Sequence, residues 1–169
     1  MKTIKTLSLI FVMVLSFSIV KATPPANNID KITNAYLGLK NALATGNGTA
    51  AQSKGKELLN ALSTQPDKGL NADQQKLLNS YLDKLKYDSR HISETNAVEH
   101  QREHFESLSK NLYDVLKGLK MNSSTIYEQY CPMKKAYWLS ETPSIKNPYY
   151  SDMEMNTCGK TTATLAPAK

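Results

Sequence analysis

Soft sulfur donors are concentrated near the C-terminal end of this 169-residue chain. Both cysteines, Cys131 and Cys158, lie there with three of the six methionines, Met133, Met153 and Met155. Thiolates and thioethers together suit Cu(I), and thiolates also suit zinc. The spacings Cys131-x-Met133 and Met155-x-x-Cys158 each form half of a potential metal site, and a tail that folds back on itself would join the halves into a four-sulfur site.

A disulfide between Cys131 and Cys158 is the alternative, with the methionines then filling gaps in the core. Such a bridge would close a loop of 28 residues, counted from 131 to 158 inclusive. By the loop-entropy model, it would add about 3–4 kcal/mol to stability. The spacing alone leaves both possibilities open.

Histidines offer further candidate ligands. His100 and His104 are four residues apart in a helical pattern, so both side chains would share one helix face and could chelate a metal. His104 is the stronger candidate, because it precedes Phe105, a residue of the apolar stripe. His100 and Met153 are weaker candidates, and His91 is predicted to be a surface residue.

The N-terminus has the features of a secretory signal peptide over residues 1–22. Lys2 and Lys5 precede an apolar run, and small residues near Lys21 suit a cleavage site. Removing these three lysines reduces the formal net charge from +6 to +3, and the remaining lysines are dispersed, so nucleic acid is not an expected partner. Residues 23–28 are predicted to be a flexible leader, and no membrane span is expected after cleavage.

Four amphipathic helices are predicted within a single domain over residues 29–160. Apolar residues recur at three- and four-residue spacing through residues 29–120, with short connections, which is typical of an up-down helical bundle. Asn71 is predicted to cap the third helix, and Asn96 with Glu99 resembles a capping box for the fourth. The fold class is therefore mainly α.

The helical period ends before residue 125. Residues 125–160 are predicted to be an irregular segment, with at most a short hairpin, packed on the bundle, and residues 161–169 to be a loose end. Within this tail and the helices, no Gly-rich phosphate loop, nucleophile-elbow serine or Cys-x-x-Cys motif occurs. An enzymatic function is therefore not expected.

An ordered string of motifs resembles a bacterial family of exported domains of unknown function, family 3347. The motifs are Gln-Arg-Glu-His-Phe-Glu-Ser-Leu-Ser from Gln101, Ile-Tyr-Glu-Gln-Tyr-Cys-Pro-Met from Ile126, Ala-Tyr-Trp-Leu-Ser from Ala136, Ile-Lys-Asn-Pro-Tyr-Tyr from Ile145 and Met-Asn-Thr-Cys-Gly from Met155. Domains of this kind also occur at the C-terminus of periplasmic adaptor subunits of copper/silver efflux pumps. One position departs from the family pattern, because Ser151 stands where a glycine is usual.

The resemblance implies heavy-metal handling and resistance outside the cytoplasm, with copper as the expected metal. Carried over by position, the ligands would be Cys131, Met133, Met155, Cys158 and His104. Tyr137 and Trp138 would shield the site from water and oxidant.

The sequence therefore predicts a periplasmic or secreted copper-binding protein that sequesters Cu(I) or hands it to an efflux adaptor or another periplasmic metal protein. The alternative prediction is a non-enzymatic protein-interaction module held by a Cys131–Cys158 disulfide.

Overall fold

The structure is a computed structural model that describes residues 27–64, 69–152 and 154–168. The predicted signal peptide, most of the predicted leader and Met153 lie outside the described residues. The last two leader residues are ordered, because Asn27 caps the first helix and Asn28 begins it.

Four helices make up the larger part of the described residues and confirm the predicted mainly α bundle. Each helix packs against the next one in the chain. In order, the helices are α1 (Asn28–Ala44), α2 (Gly48–Ser63), α3 (Ala72–Ser93) and α4 (Val98–Leu119).

Helix caps agree with the sequence in part. The Asn71 side chain accepts the Gln74 backbone N–H and the Gln74 side chain accepts the Asn71 backbone N–H, so this capping box confirms the predicted start of α3. The capping box predicted at Asn96 and Glu99 is wrong, because α4 follows Ala97 without a side-chain cap. Glu99 is instead engaged by Arg102, whose Nη1 lies 2.6 Å from the Glu99 carboxylate.

The tail forms a three-stranded antiparallel sheet with the strand order β2-β1-β3. The strands are β1 (Ile126–Cys131), β2 (Ala136–Ser140) and β3 (Lys160–Leu165). The short hairpin expected from the sequence is therefore present as β1 and β2. The loose end predicted for residues 161–169 is wrong, because β3 occupies most of it and pairs Leu165 with Ile126.

The Tyr36 hydroxyl joins the sheet to the bundle. The Leu139 backbone N–H of β2 donates to it at 3.0 Å, and the Ser109 hydroxyl of α4 lies 2.7 Å away. Because Ser109 donates to the Phe105 carbonyl, Tyr36 must donate to Ser109. Tyr36 is fully buried, and burial raises the pKa of its phenol well above the usual value. A continuous donor chain therefore links β2, α1 and α4.

Among the described residues, no helix combines the length and apolarity that crossing a membrane requires.

We expect Tyr36→Phe to lower the free energy of unfolding by about 1–3 kcal/mol, because it leaves the buried Leu139 N–H without an acceptor. Urea unfolding followed by circular dichroism measures this change. Tyr87→Phe is the matched control, because Tyr87 is 58% exposed, and its effect should stay within about 0.5 kcal/mol. Equal effects of the two substitutions would show that the Tyr36 hydroxyl does not hold the sheet.

Candidate functional site

The sheet brings the two cysteines together. Cys131 is the last residue of β1 and is buried, and Cys158 lies two residues before β3 and is half-buried. Tyr130 pairs with Lys160 in the antiparallel register of β1 and β3. Cys131, which follows Tyr130, therefore lies beside Gly159 and Cys158, which precede Lys160. The two side chains are close enough for Cys131 to raise the pKa of Cys158, and both thiols are free. Cys131 and Cys158 together are called the thiol pair below.

The turn between β1 and β2 directs backbone N–H groups at the thiol pair. The Lys134 N–H lies 3.4 Å from Cys131 Sγ, and the Met133 backbone lies close enough to the Cys158 sulfur to act on its pKa. The turn is closed by the Lys135 N–H, which donates to the Cys131 carbonyl at 2.8 Å, with Lys135 in the left-handed region at φ 58°. Such donors favour the thiolate form of a cysteine.

The surroundings of Cys158 raise the pKa of its thiol. Loss of hydration is the largest cause, and the neighbouring Cys131 adds to it, while the hydrogen bond from the Met133 backbone acts in the opposite direction. At neutral pH the metal-free Cys158 is therefore protonated, and a metal ion must displace that proton to bind.

The two candidate methionine ligands flank the thiol pair. Met133 belongs to the β1–β2 turn and is 66% exposed. Met155 is half-buried, and its carbonyl accepts the Cys158 N–H at 3.0 Å, so both residues belong to one tight turn. Each thioether is thus placed within a few residues of a thiol.

The two predicted shielding residues lie on opposite faces of β2, because side chains alternate along a strand. Trp138 is fully buried, and a Cβ atom added at Gly159 would lie 2.7 Å from its ring, so the indole packs directly beneath the backbone that follows Cys158. Tyr137 is 43% exposed and lines a groove of about 570 Å³ between α4 and the β1–β2 hairpin. The structure therefore brings Trp138, but not Tyr137, to the thiol pair.

Residues 141–159, the covering segment, connect β2 to β3 and carry Cys158. Asn147 lies at its centre and is fully buried. Its side-chain amide donates to the Cys158 carbonyl at 2.8 Å, its backbone N–H donates to the Asn156 carbonyl at 2.7 Å, and its side-chain oxygen accepts the Tyr149 N–H. Asn147 is thus a positioning residue for Cys158.

Other buried polar side chains fasten the covering segment to the rest of the protein. Arg102 of α4 donates from Nε to the Pro148 carbonyl at 2.8 Å and from Nη2 to the Leu43 carbonyl at 3.2 Å. At the start of the segment, buried Lys40 of α1 pairs with Glu141 at 2.8 Å. Burial acts to raise the pKa of Glu141, but hydrogen bonds from Lys40 and the neighbouring Asn41 outweigh it, so the pKa is lowered.

Sequence reasoning missed Arg102 and Asn147 as residues that position the site. Both lie inside motifs that carry the family resemblance, Arg102 one residue after Gln101 and Asn147 before Pro148. The available signal for Arg102 was its place in the apolar stripe of α4, four residues after Val98 and three before Phe105, and the signal for Asn147 was an amide directly before a proline in an irregular segment.

The histidines form a separate group. His100 and His104 share a face of α4 as predicted, with ring centroids 4.9 Å apart. His91, predicted as a surface residue, is half-buried and stacks on His104 with centroids 4.6 Å apart. Within the described ranges, this is the one group of three or more potential metal ligands, and it contains neither cysteine. The structure therefore places His104 with His91 and His100 and not with the thiol pair.

We expect the reduced protein to be alkylated by iodoacetamide at Cys158 and not at fully buried Cys131. The reaction rate follows the thiolate fraction, so the raised pKa of Cys158 should place the midpoint of its pH–rate profile above the ordinary thiol value of about 8.5. Cys131→Ser should move that midpoint down, because it removes a neighbour that raises the pKa. Mass spectrometry of quenched samples measures both rates, and a midpoint at or below the ordinary value would contradict the described surroundings.

Comparison with known proteins gives a family but no activity. Residues 32–124, which are 93 of the 169 residues, match a family model described as a protein of unknown function (DUF3347). The matched range contains all three histidines and ends before β1 begins at Ile126. No curated protein and no solved structure matches the chain. Because the match covers more than half of its length, the chain belongs to the DUF3347 family of proteins of unknown function.

Proposed function

We propose that this protein binds Cu(I) outside the cytoplasm and that Cys131 and Cys158 are its thiolate ligands. The observation that carries the proposal is the convergence of these residues. They are the only cysteines in the chain, they lie on different elements, and the sheet brings their free thiols close together. Two adjacent thiolates form a donor set that favours a soft monovalent cation.

Neighbouring groups would adapt the thiol pair to this task. Met133 and Met155 would supply thioether ligands, which are soft and neutral and so bind Cu(I) without adding charge. The backbone donors from Met133 and Lys134 would stabilise the two thiolates once their protons have left. Trp138 would exclude water from the buried side of the site.

Hand-over of the metal, not catalysis, is the function we infer. Met133 is largely exposed at the edge of the thiol pair, so its thioether would be accessible to an incoming ion or to a partner's ligands. Ligands that exchange one at a time would pass the ion from protein to protein. The predicted signal peptide and the family resemblance support a periplasmic or secreted location and a copper/silver efflux adaptor, or another periplasmic metal protein, as the partner.

A non-enzymatic interaction module with a structural disulfide is the second candidate. The same proximity of Cys131 and Cys158 favours it, because an exported protein meets an oxidising environment in which adjacent thiols pair. In that case the tail would be a cross-linked surface for a protein partner.

Anaerobic titration with Cu(I) against a competing chelator tests the proposal on the reduced, exported protein. We expect one tightly bound ion per chain. Cys131→Ser and Cys158→Ser should each weaken binding at least about a hundredfold, and Met133→Leu and Met155→Leu about tenfold, which corresponds to about 2.7 and 1.4 kcal/mol. Met121→Leu is the matched control, since Met121 is a half-buried methionine that packs on the bundle core.

Two further measurements decide between the candidates. Asn147→Ala should weaken Cu(I) binding while all four sulfur ligands remain, because it releases the Cys158 carbonyl. A thiol count on protein purified without reductant should give two free thiols per chain. A count of zero, combined with no Cu(I) binding after reduction, would contradict the metal proposal and support the disulfide-bonded module.

A further inference from the structure

We propose that the protein has a second metal site, formed by His91, His100 and His104 between α3 and α4, which takes a divalent first-row ion such as Zn²⁺ or Cu²⁺. These three residues are called the histidine cluster below. The site is independent of the thiol pair, and neither site needs the other to form.

Convergence of all the histidines is the first observation. The chain contains three histidines, and they come from two helices, His91 from the last turn of α3 and the other two from the first half of α4. One ligand nitrogen from each lies within 4.8 Å of the others. Nitrogens bound to one tetrahedral zinc are about 3.4 Å apart. Because the rings of His91 and His104 stack nearly parallel, the His91 ring must turn out of this stacking to point a nitrogen at the same ion, and its partial exposure to solvent permits that rotation.

Carboxylates orient two of the three rings, which is the second observation. His104 Nδ1 lies 3.1 Å from a carboxylate oxygen of Asp88, and the other oxygen of Asp88 accepts the Ser107 hydroxyl at 2.7 Å. Asp88 is itself buried. This arrangement holds the Nδ1–H tautomer of His104 and leaves Nε2 free to bind a metal. Such carboxylate–histidine pairs are the usual support of a metal-bound imidazole.

His100 has a similar arrangement. Its Nδ1 lies 3.2 Å from a Glu103 carboxylate oxygen, so its Nε2 is also free for a metal. His91 packs against the ring of Tyr87, with centroids 4.4 Å apart, and this contact keeps it beside His104. The cluster thus presents imidazole nitrogens that are oriented by groups outside the metal site.

The donor set defines the class of ion. Imidazole nitrogens suit zinc, copper and nickel, and among divalent ions Cu²⁺ binds nitrogen ligands most tightly. The histidine cluster therefore differs from the thiol pair in the charge and softness of the ion that it selects. Three protein ligands leave a fourth position for water or an outside ligand, and exposed His100 leaves that position open to solvent.

Calorimetric titration with Zn²⁺ tests the site in a Cys131→Ser/Cys158→Ser variant, in which the thiols cannot bind the ion. We expect one bound Zn²⁺ per chain, and at least about tenfold weaker binding for each of His91→Gln, His100→Gln and His104→Gln. Asp88→Asn should weaken binding about 10–100-fold through His104. Glu57→Gln, which removes an exposed carboxylate on α2, is the control and should leave the affinity unchanged.

Two readouts separate ligation from a structural effect. Long-range ¹H–¹⁵N spectra of the unmutated protein should show the ring nitrogens of all three histidines shifting with Zn²⁺, and the melting temperature should rise with Zn²⁺ concentration, since the ion binds the folded state. Binding that survives His91→Gln unchanged would overturn the three-histidine site. Binding that is present in the unmutated protein and lost in the double cysteine variant would also overturn it, and would assign the zinc to the thiol pair.

Discussion

Backbone polar groups in the covering segment impose the main constraint on the site. An irregular segment packed against the sheet has no ladder to pair its carbonyls, and each buried carbonyl without a donor costs about 1–3 kcal/mol. Three buried side chains supply the donors. Arg102 donates to the Pro148 carbonyl, and Asn147 donates to the Cys158 carbonyl. Gln129 donates to the carbonyls of residues 142–144. The Asn147 bond acts on Cys158 directly, and the other two hold the segment that carries it.

The bundle acts as the scaffold on which that segment and the sheet are held. Helix α1 contributes the Tyr36 hydroxyl and the Lys40 ammonium, which engage β2 and the start of the covering segment. Helix α4 contributes Arg102 and Ser109 on the side that contacts α1 and the tail, and it carries the histidine cluster where it meets α3. One helix therefore supports both candidate metal sites with different faces.

Features governed by local sequence could be predicted, and features governed by distant contacts could not. The four helices follow from a 3.6-residue apolar period, and the cap at Asn71 follows from the Gln three residues later. Strand β3 was missed because its threonine-rich sequence has only one large apolar residue, Leu165, and so shows no alternating apolar pattern; it forms a strand by pairing with β1. His91 was missed as a cluster member because it meets His104 only when α3 and α4 pack. The meeting of Cys131 with Cys158 likewise depends on the pairing of β1 with β3.

Cys158 lies in a loop, and this affects which parts of the protein can unfold locally. Proteins open in local cooperative units whose free energies range from near zero up to that of global unfolding. Hydrogen bonds hold the covering segment, and its buried apolar side chains are Pro148 and Tyr149, with Ile145 and Tyr150 partly buried, so we expect it to open as such a unit. Its opening would separate the two thiols while the helices stay folded. The residence time of an ion bound between the two thiols would then be limited by how often the covering segment opens. The histidine cluster lies on two packed helices, so its geometry would be lost only when the bundle unfolds.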